Sequence, residues 1–327
     1  MSTLQLAQRI TEELRSRLPE QRKTQREAAG MLVATMLDVR SPNTVDLASG
    51  LGRVTERLDM RLQWVSRVLS NRLILPHEVM SPFAREALEK AGKRNAALVV
   101  SMDQSHISAG FEMLMLSLRY KQRAIPLVWC VKETEGGIGF AAQKALLEQL
   151  TALLPECVKI VLMGDRFYGT PDLIDYCRTQ GWDWRLRLKE NYTLWVDGEE
   201  TTLGALARQA QRFLKNVSVT RKATRTNIGI VHEKGHKEPW IIAMSAEPGY
   251  YKTLDYGMRW GIECMFSDLK SRGFSLEETQ IQYADRIERL VLVMALALYF
   301  ATSCGLWDEQ NNPMPYEKRG LKKPHAP

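Results

Sequence analysis

Tyr256, Arg259, Glu263 and Lys270 follow one another at steps of 3, 4 and 7 within a segment, 250–271, that reads as one long helix. At about 100° per residue the four fall within an arc of about 60°. Met258, Ile262, Met265, Phe266 and Leu269 occupy the rest of the circumference. A helical stripe that faces a core is normally apolar, whereas this one holds a phenol, two cations and an acid. That set suits a surface meeting a metal ion and phosphate together. Carboxylate oxygens take hard divalent cations, and Arg259 and Lys270 can neutralise phosphate oxygens. The plain alternative is an exposed helix on which Arg259 and Glu263 form an i,i+4 ion pair. Two further acids, Asp103 and Asp165, end the apolar runs 96–102 and 158–163. Carboxylates at such places are costly unless a cation offsets them, although either one alone can be a turn or capping residue.

Other chemistry-bearing patterns carry less. His232-Glu233-Lys234-Gly235-His236 fits the H-E-x-x-H form of zinc peptidases, but two histidines so spaced share a face only on a helix. Gly235 disfavours a helix, and the flanking runs 226–231 and 240–244 read as strands, so the motif falls in a hairpin turn. His106 reads as a loop residue. The five cysteines are never spaced C-x-x-C, which points to reduced thiols rather than a disulfide framework or a zinc knuckle.

Of 327 residues, 45% are hydrophobic and 25% charged, which excludes disorder and leaves room for two or three domains. The start is charged and helix-periodic, without the apolar core of a secretory signal. The apolar run at 290–301 is about half the roughly 20 residues a bilayer needs. Acid–base pairs precede it at Asp285/Arg286 and Glu288/Arg289, so it reads as a buried core helix, and no membrane is expected. The net charge of +7 is weak evidence alone. Its distribution says more: 201–232 contains no acid but holds Arg208, Arg212, Lys215, Arg221, Lys222 and Arg225, and Lys318, Arg319, Lys322 and Lys323 make the tail basic. Such runs bind polyanions or form a solvated face.

The elements that must position these groups divide as follows. Residues 1–94 read as helical, with Leu6, Ile10, Leu14 and Leu18 on one stripe. Ser41-Pro42-Asn43-Thr44 starts a helix, and Gly50-Leu51-Gly52 breaks the chain before another at 54–70. That outline is a helix-turn-helix whose Arg53, Arg57, Arg61 and Arg67 can face a duplex, or equally a plain bundle. Residues 84–94 read as the connection onward. From 95 to 190 the order is β-β-β-α-β-α-β, a mixed sheet covered by helices, with acids at the C-terminal ends of two strands. Strand-like pieces and a short helix at 203–209 make 191–247 a β-rich insertion. The core resumes at 248–305 with the Glu-bearing helix and the buried helix, and 306–327 is a basic tail.

Taken together, Asp103, Asp165 and the spacing Tyr256-x2-Arg259-x3-Glu263-x6-Lys270 resemble the DDE transposases of bacterial insertion sequences, in the family marked by a Y-R-E-K signature. The likeness extends through YGMRWGIECMFSDLKSRGF and MGDRFYG and covers about 95–305. It implies an α/β fold: an RNase H-like mixed sheet flanked by helices, with a β-rich insertion; the N-terminal region matches only in being helical and in its placement, and residues 1–94 are read from their helix-turn-helix outline as an all-α domain that can bind DNA. It further implies that Asp103, Asp165 and Glu263 are catalytic and hold two Mg²⁺ ions, with Mn²⁺ able to substitute. Tyr256, Arg259 and Lys270 would bind DNA phosphates, and Trp260 a base drawn from the stack, with Trp240 a weaker candidate or a strand core residue. The partners implied are double-stranded DNA, as terminal inverted repeats and as target, and a second copy in a homodimer. The location implied is cytoplasmic and nucleoid-associated. Two other readings share the core: a DNA-binding protein that no longer cuts, and a metal-dependent nuclease.

Overall fold

The computed structural model describes residues 2–52, 57–94, 96–108, 110–121, 123–196, 199–209, 211–233 and 238–312. Five helices come first: α1 (Thr3–Arg17), α2 (Lys23–Val39), α3 (Thr44–Gly50), α4 (Leu58–Leu69) and α5 (Pro76–Gly92). Ser2 and Gln5 close a capping box on α1, Asn43 caps α3 by accepting from the Val45 amide, and Pro76 sets the first turn of α5. The turn between α3 and α4 includes 53–56, outside the described residues, so Arg53 is not placed. Arg57 pairs with Asp59 at 2.6 Å, and Arg67 is exposed. Residues 84–94, expected as a connection, instead belong to α5 as far as Gly92. Val79, Met80, Phe83, Ala84, Ala87, Leu88 and Ala91 are buried at helical spacing between the charges that suggested a linker.

Next come β1 (Leu98–Ser108), β2 (Phe111–Tyr120), β3 (Arg123–Glu133), α6 (Phe140–Thr151), β4 (Ile160–Gly164), α7 (Pro171–Thr179) and β5 (Asp183–Arg187). The strands lie in the order β3-β2-β1-β4-β5. β2 is antiparallel to both neighbours, while β1, β4 and β5 run parallel. That order and polarity is an RNase H-like sheet. β1 does not stop at Asp103, as its apolar run suggested. Antiparallel pairing carries it on, from Asp103 opposite Met115 to His106 opposite Glu112. His106 is therefore on a strand, not in a loop.

The 191–247 segment supplies β6 (Thr193–Val196), β7 (Glu199–Thr202), α8 (Leu203–Gln209), β8 (Arg212–Val219), β9 (Thr224–Val231) and β10 (Trp240–Met244). Its strands extend the same sheet, with β10 antiparallel to β5 and the order running on through β9, β8, β6 and β7, ten strands in all among the described residues. His232 and Glu233 follow β9 and are not helical, and 234–237 lie outside the described residues. Part of the basic run is neutralised, since Lys222 meets Asp172 at 2.7 Å and Lys215 meets Glu247.

The long helix expected at 250–271 is broken. It consists of α9 (Tyr250–Leu254), a 3₁₀ turn (Asp255–Trp260) and α10 (Gly261–Leu269), followed by a short 3₁₀ turn (Leu276–Glu278) and α11 (Ala284–Asn311).

Both faces of the sheet are covered. Leu98, Val100 and Met102 of β1 join a cluster with α6 and α7, whereas Ile107 joins the opposite cluster with Met113 and Met115 of β2, α10, α11 and the first helices. Alternation along the strand therefore directs Asp103, in phase with Ile107, to the α10 side. α11 is long and apolar enough to cross a membrane by length and composition, but Leu290–Ala297 are all buried against these neighbours. Buried Arg289 ties α11 to the helical region, donating to the Leu69 carbonyl at 2.9 Å and the Ile74 carbonyl at 3.2 Å.

Candidate active site

Asp103 reaches the site from β1, Asp165 from the turn just after β4, and Arg259 and Glu263 from the broken helix. Arg259 Nη1 donates to Asp103 Oδ2 at 2.8 Å, and Nη2 donates to Glu263 Oε1. One guanidinium thus spans two acids 160 positions apart in the chain. The cluster is largely enclosed: side-chain exposure is 11% for Arg259, 15% for Asp103 and 34% for Glu263. Asp103 Oδ1 also accepts from the Gln104 amide at 2.9 Å. Asp165 Oδ1 accepts from the Phe167 amide at 2.8 Å, an Asx turn that fixes the carboxylate at the end of β4.

Electrostatics show that all three acids share one field. Burial, the largest influence, pushes the Asp103 carboxyl up to about 6; Arg259 opposes this, and the charges of Asp165 and Glu263 reinforce it. Burial would lower the Arg259 pKa, yet Tyr256, Asp103, Glu263 and Asp165 together hold it above its ordinary value. The Tyr256 phenol is pushed up to about 12, chiefly by burial. Its ring lies 5.3 Å from that of Trp240, edge to face, and the Arg259 guanidinium carbon is 5.7 Å from its centre.

Of the seven residues singled out in the sequence, Asp103, Tyr256, Arg259 and Glu263 are joined through the Arg259 guanidinium, and Asp165 is near enough for its charge to act on Asp103, Tyr256 and Arg259. Trp260 lies beside them, 58% exposed. Lys270 does not join: it caps the C-terminal end of α10, and its Nζ is 3.8 Å from Glu277. Trp240 opens β10 as a partly buried residue packed on Tyr256. The donor types suit a hard cation, since three carboxylates offer only oxygens. Among the described residues, however, no group of three or more His, Cys, Asp and Glu is arranged to hold a metal ion. The positive charge between Asp103 and Glu263 is Arg259.

Two cations were missed. Arg166 follows Asp165, and Arg187 ends β5; both pair with Glu238, Arg187 at 2.9 Å. Arg187 is near enough for its charge to act on Tyr256. For Arg187 the alternation in Trp184-Arg185-Leu186-Arg187 was the available signal, because it sets Arg185 and Arg187 on one strand face.

Residues 140–300 match the family described as a transposase DDE domain, a span that holds Asp165, Arg259 and Glu263. No curated protein matches the chain. Among solved structures, the crystal structure of human ENDOV is similar over 68% of this chain and 98% of that one, at 11% identity and a TM-score of 0.25, a likeness too slight to argue from.

Proposed function

Because residues 140–300 match the transposase DDE-domain family, we propose that the chain is an insertion-sequence transposase of the Y-R-E-K group. It binds the inverted-repeat ends of its element as a homodimer, cuts them, and joins the freed 3′-hydroxyl ends to target DNA in the bacterial cytoplasm. One observation carries the reading: a single guanidinium bridges the acids of β1 and α10, and the acid of the β4 turn lies near enough for its charge to act on both Asp103 and Arg259.

Asp103, Asp165 and Glu263 would hold two Mg²⁺ ions, for which Mn²⁺ can substitute. When bound, such ions activate the attacking oxygen and stabilise the leaving one. The chain's own residues do the rest. Arg259 offers a planar fork of donors matched to a phosphodiester. Tyr256, buried beside it, fixes the angle of that fork, and Lys270 supplies charge farther along the DNA backbone. Trp260 presents an open aromatic face on which a base turned out of the duplex can stack. The same residues serve both steps, because only the nucleophile changes, from water to a 3′-hydroxyl.

Asp103→Asn, Asp165→Asn and Glu263→Gln should each lower cleavage of a terminal-repeat duplex by about 10³-fold or more, the several kcal/mol of charge stabilisation at stake. Binding of the same duplex in a gel shift should persist. Normal cleavage by any of the three variants removes that residue from the catalytic set. If wild-type protein with Mg²⁺ binds but never nicks, the chain is a binding protein. If it nicks but never joins ends into a plasmid, it is a nuclease.

A further inference from the structure

Two guanidinium groups that the cluster around Arg259 does not use meet on a single carboxylate oxygen. Arg187 Nη2 donates to Glu238 Oε2 at 2.9 Å, and Arg166 Nη2 donates to the same atom. Arg187 also reaches the Pro239 carbonyl at 3.4 Å. Arg166 first, and Arg187 after it, hold the Glu238 carboxyl below its ordinary range, so it is ionised at neutral pH. Two cations against one acid leave the trio with one net positive charge.

The arginines stand where a ligand is expected. Arg166 directly follows Asp165 after β4, and Arg187 ends β5. These two strands run parallel, and open α/β sheets bind ligands outside the carboxyl ends of such strands. Arg187 and Arg259 both act through their charge on the Tyr256 phenol. Glu238 comes from a different element, just before β10, and its grip is open to water: side-chain exposure is 47% for Glu238, 48% for Arg166 and 20% for Arg187. An ion pair so exposed is weak and readily exchanged. A phosphodiester carries the same charge as the carboxylate and fits the donor forks of arginine equally well.

We propose that Arg166 and Arg187 are DNA phosphate-binding residues beside the candidate active site, and that Glu238 is their acidic latch, holding the phosphate's place until DNA displaces it. This deepens the reading under Proposed function that the chain processes DNA, and rests on it. A plain clasp that pins the start of β10 to β5 differs in one respect: it gives Glu238 no influence on DNA.

The test is binding of a fluorescent duplex, carrying the sequence that flanks the reading frame, to the full chain across a salt series without divalent ions. Arg166→Gln and Arg187→Gln should each weaken binding about fivefold or more at low salt. Each should also flatten the slope of log K against log salt by about 0.9, the mark of one lost phosphate contact. Arg166→Lys, which keeps the charge, should keep the slope. Glu238→Gln should bind about two- to fivefold tighter than wild type, the strength of an exposed ion pair that no longer competes. Glu238→Gln binding no tighter than wild type overturns the latch, and arginine variants with wild-type affinity and slope overturn the phosphate contacts. Should Arg187→Gln fail to fold, Arg166→Gln, at the more exposed of the two arginines, decides alone. If wild type itself does not bind the duplex, the DNA-processing reading fails and takes the proposal with it. If wild type binds and the variants match it, only the proposal fails.

Discussion

At Asp103, burial and neighbouring acids raise the carboxyl from an ordinary 3.8 to about 6. The folded chain therefore holds this proton more tightly than the unfolded one. The stability that follows is fully present below about pH 4 and is lost as pH rises through about 6. A shift of about two units bounds it at roughly 3 kcal/mol. Asp103→Asn still offers Arg259 an oxygen but cannot titrate. In buffer free of divalent ions, thermal melts of wild type should therefore fall relative to those of the variant as pH is raised from about 4 to about 6. A constant gap across that range would show that the Asp103 carboxyl is not raised. The residues in this cluster were legible in the sequence because their types are unusual on a helix face or at the end of an apolar run. Arg166 was not, and Arg187 showed only as one of two arginines on a face of β5, because the Glu238 that gathers them lies 72 and 51 positions away.

Among the elements, the segment that carries Glu263 shows where periodicity misleads. An arc drawn at 3.6 residues per turn groups Tyr256, Arg259, Glu263 and Lys270. In the 3₁₀ turn, residues three apart eclipse, which still sets Tyr256 under Arg259, and α10 then sets Glu263 one turn on from Arg259. Lys270 is lost from the group because the helix ends there. β1 erred the other way. Polar Gln104, Ser105 and His106 do not read as a strand, but a ten-residue partner in β2 supplies the pairing that extends it. The seat of α10 is equally a matter of tertiary approach. A Cβ on Gly261 would stand 2.8 Å from the Arg123 carbonyl oxygen of β3, and that backbone cannot readily yield. Gly261→Ala should cost about 1–3 kcal/mol in urea unfolding and reduce DNA cleavage, since Glu263 is two residues along the displaced helix. An unchanged midpoint would mean that α10 does not rest on β3.

Across the whole molecule, the helices before β1 are packed into the catalytic half. Leu32, Val33, Met36, Val65 and Leu69 share one apolar cluster with Leu292, Val293 and Leu296 of α11. Each such side chain contributes about 1.5–3 kcal/mol by leaving water. A fragment spanning 95–312 should therefore bind a hydrophobic dye and lack near-ultraviolet dichroism; a soluble fragment with native dichroism would show that the sheet and its helices stand without that cover. The sheet also has few places where its backbone is bare. On one margin, Glu288 of α11 accepts the Val131 amide of β3 at 2.8 Å. On the other, β7 is only four residues long and begins with two exposed glutamates, features that discourage strangers from pairing. The join between β5 and β10 lies between these margins. Cutting out 191–247 would strip β5 of the partner that satisfies one whole side of its peptide groups, so a chain shortened there would present an adhesive seam directly beside its reactive centre. Any descendant that dispenses with this segment must find some other way to blunt that seam.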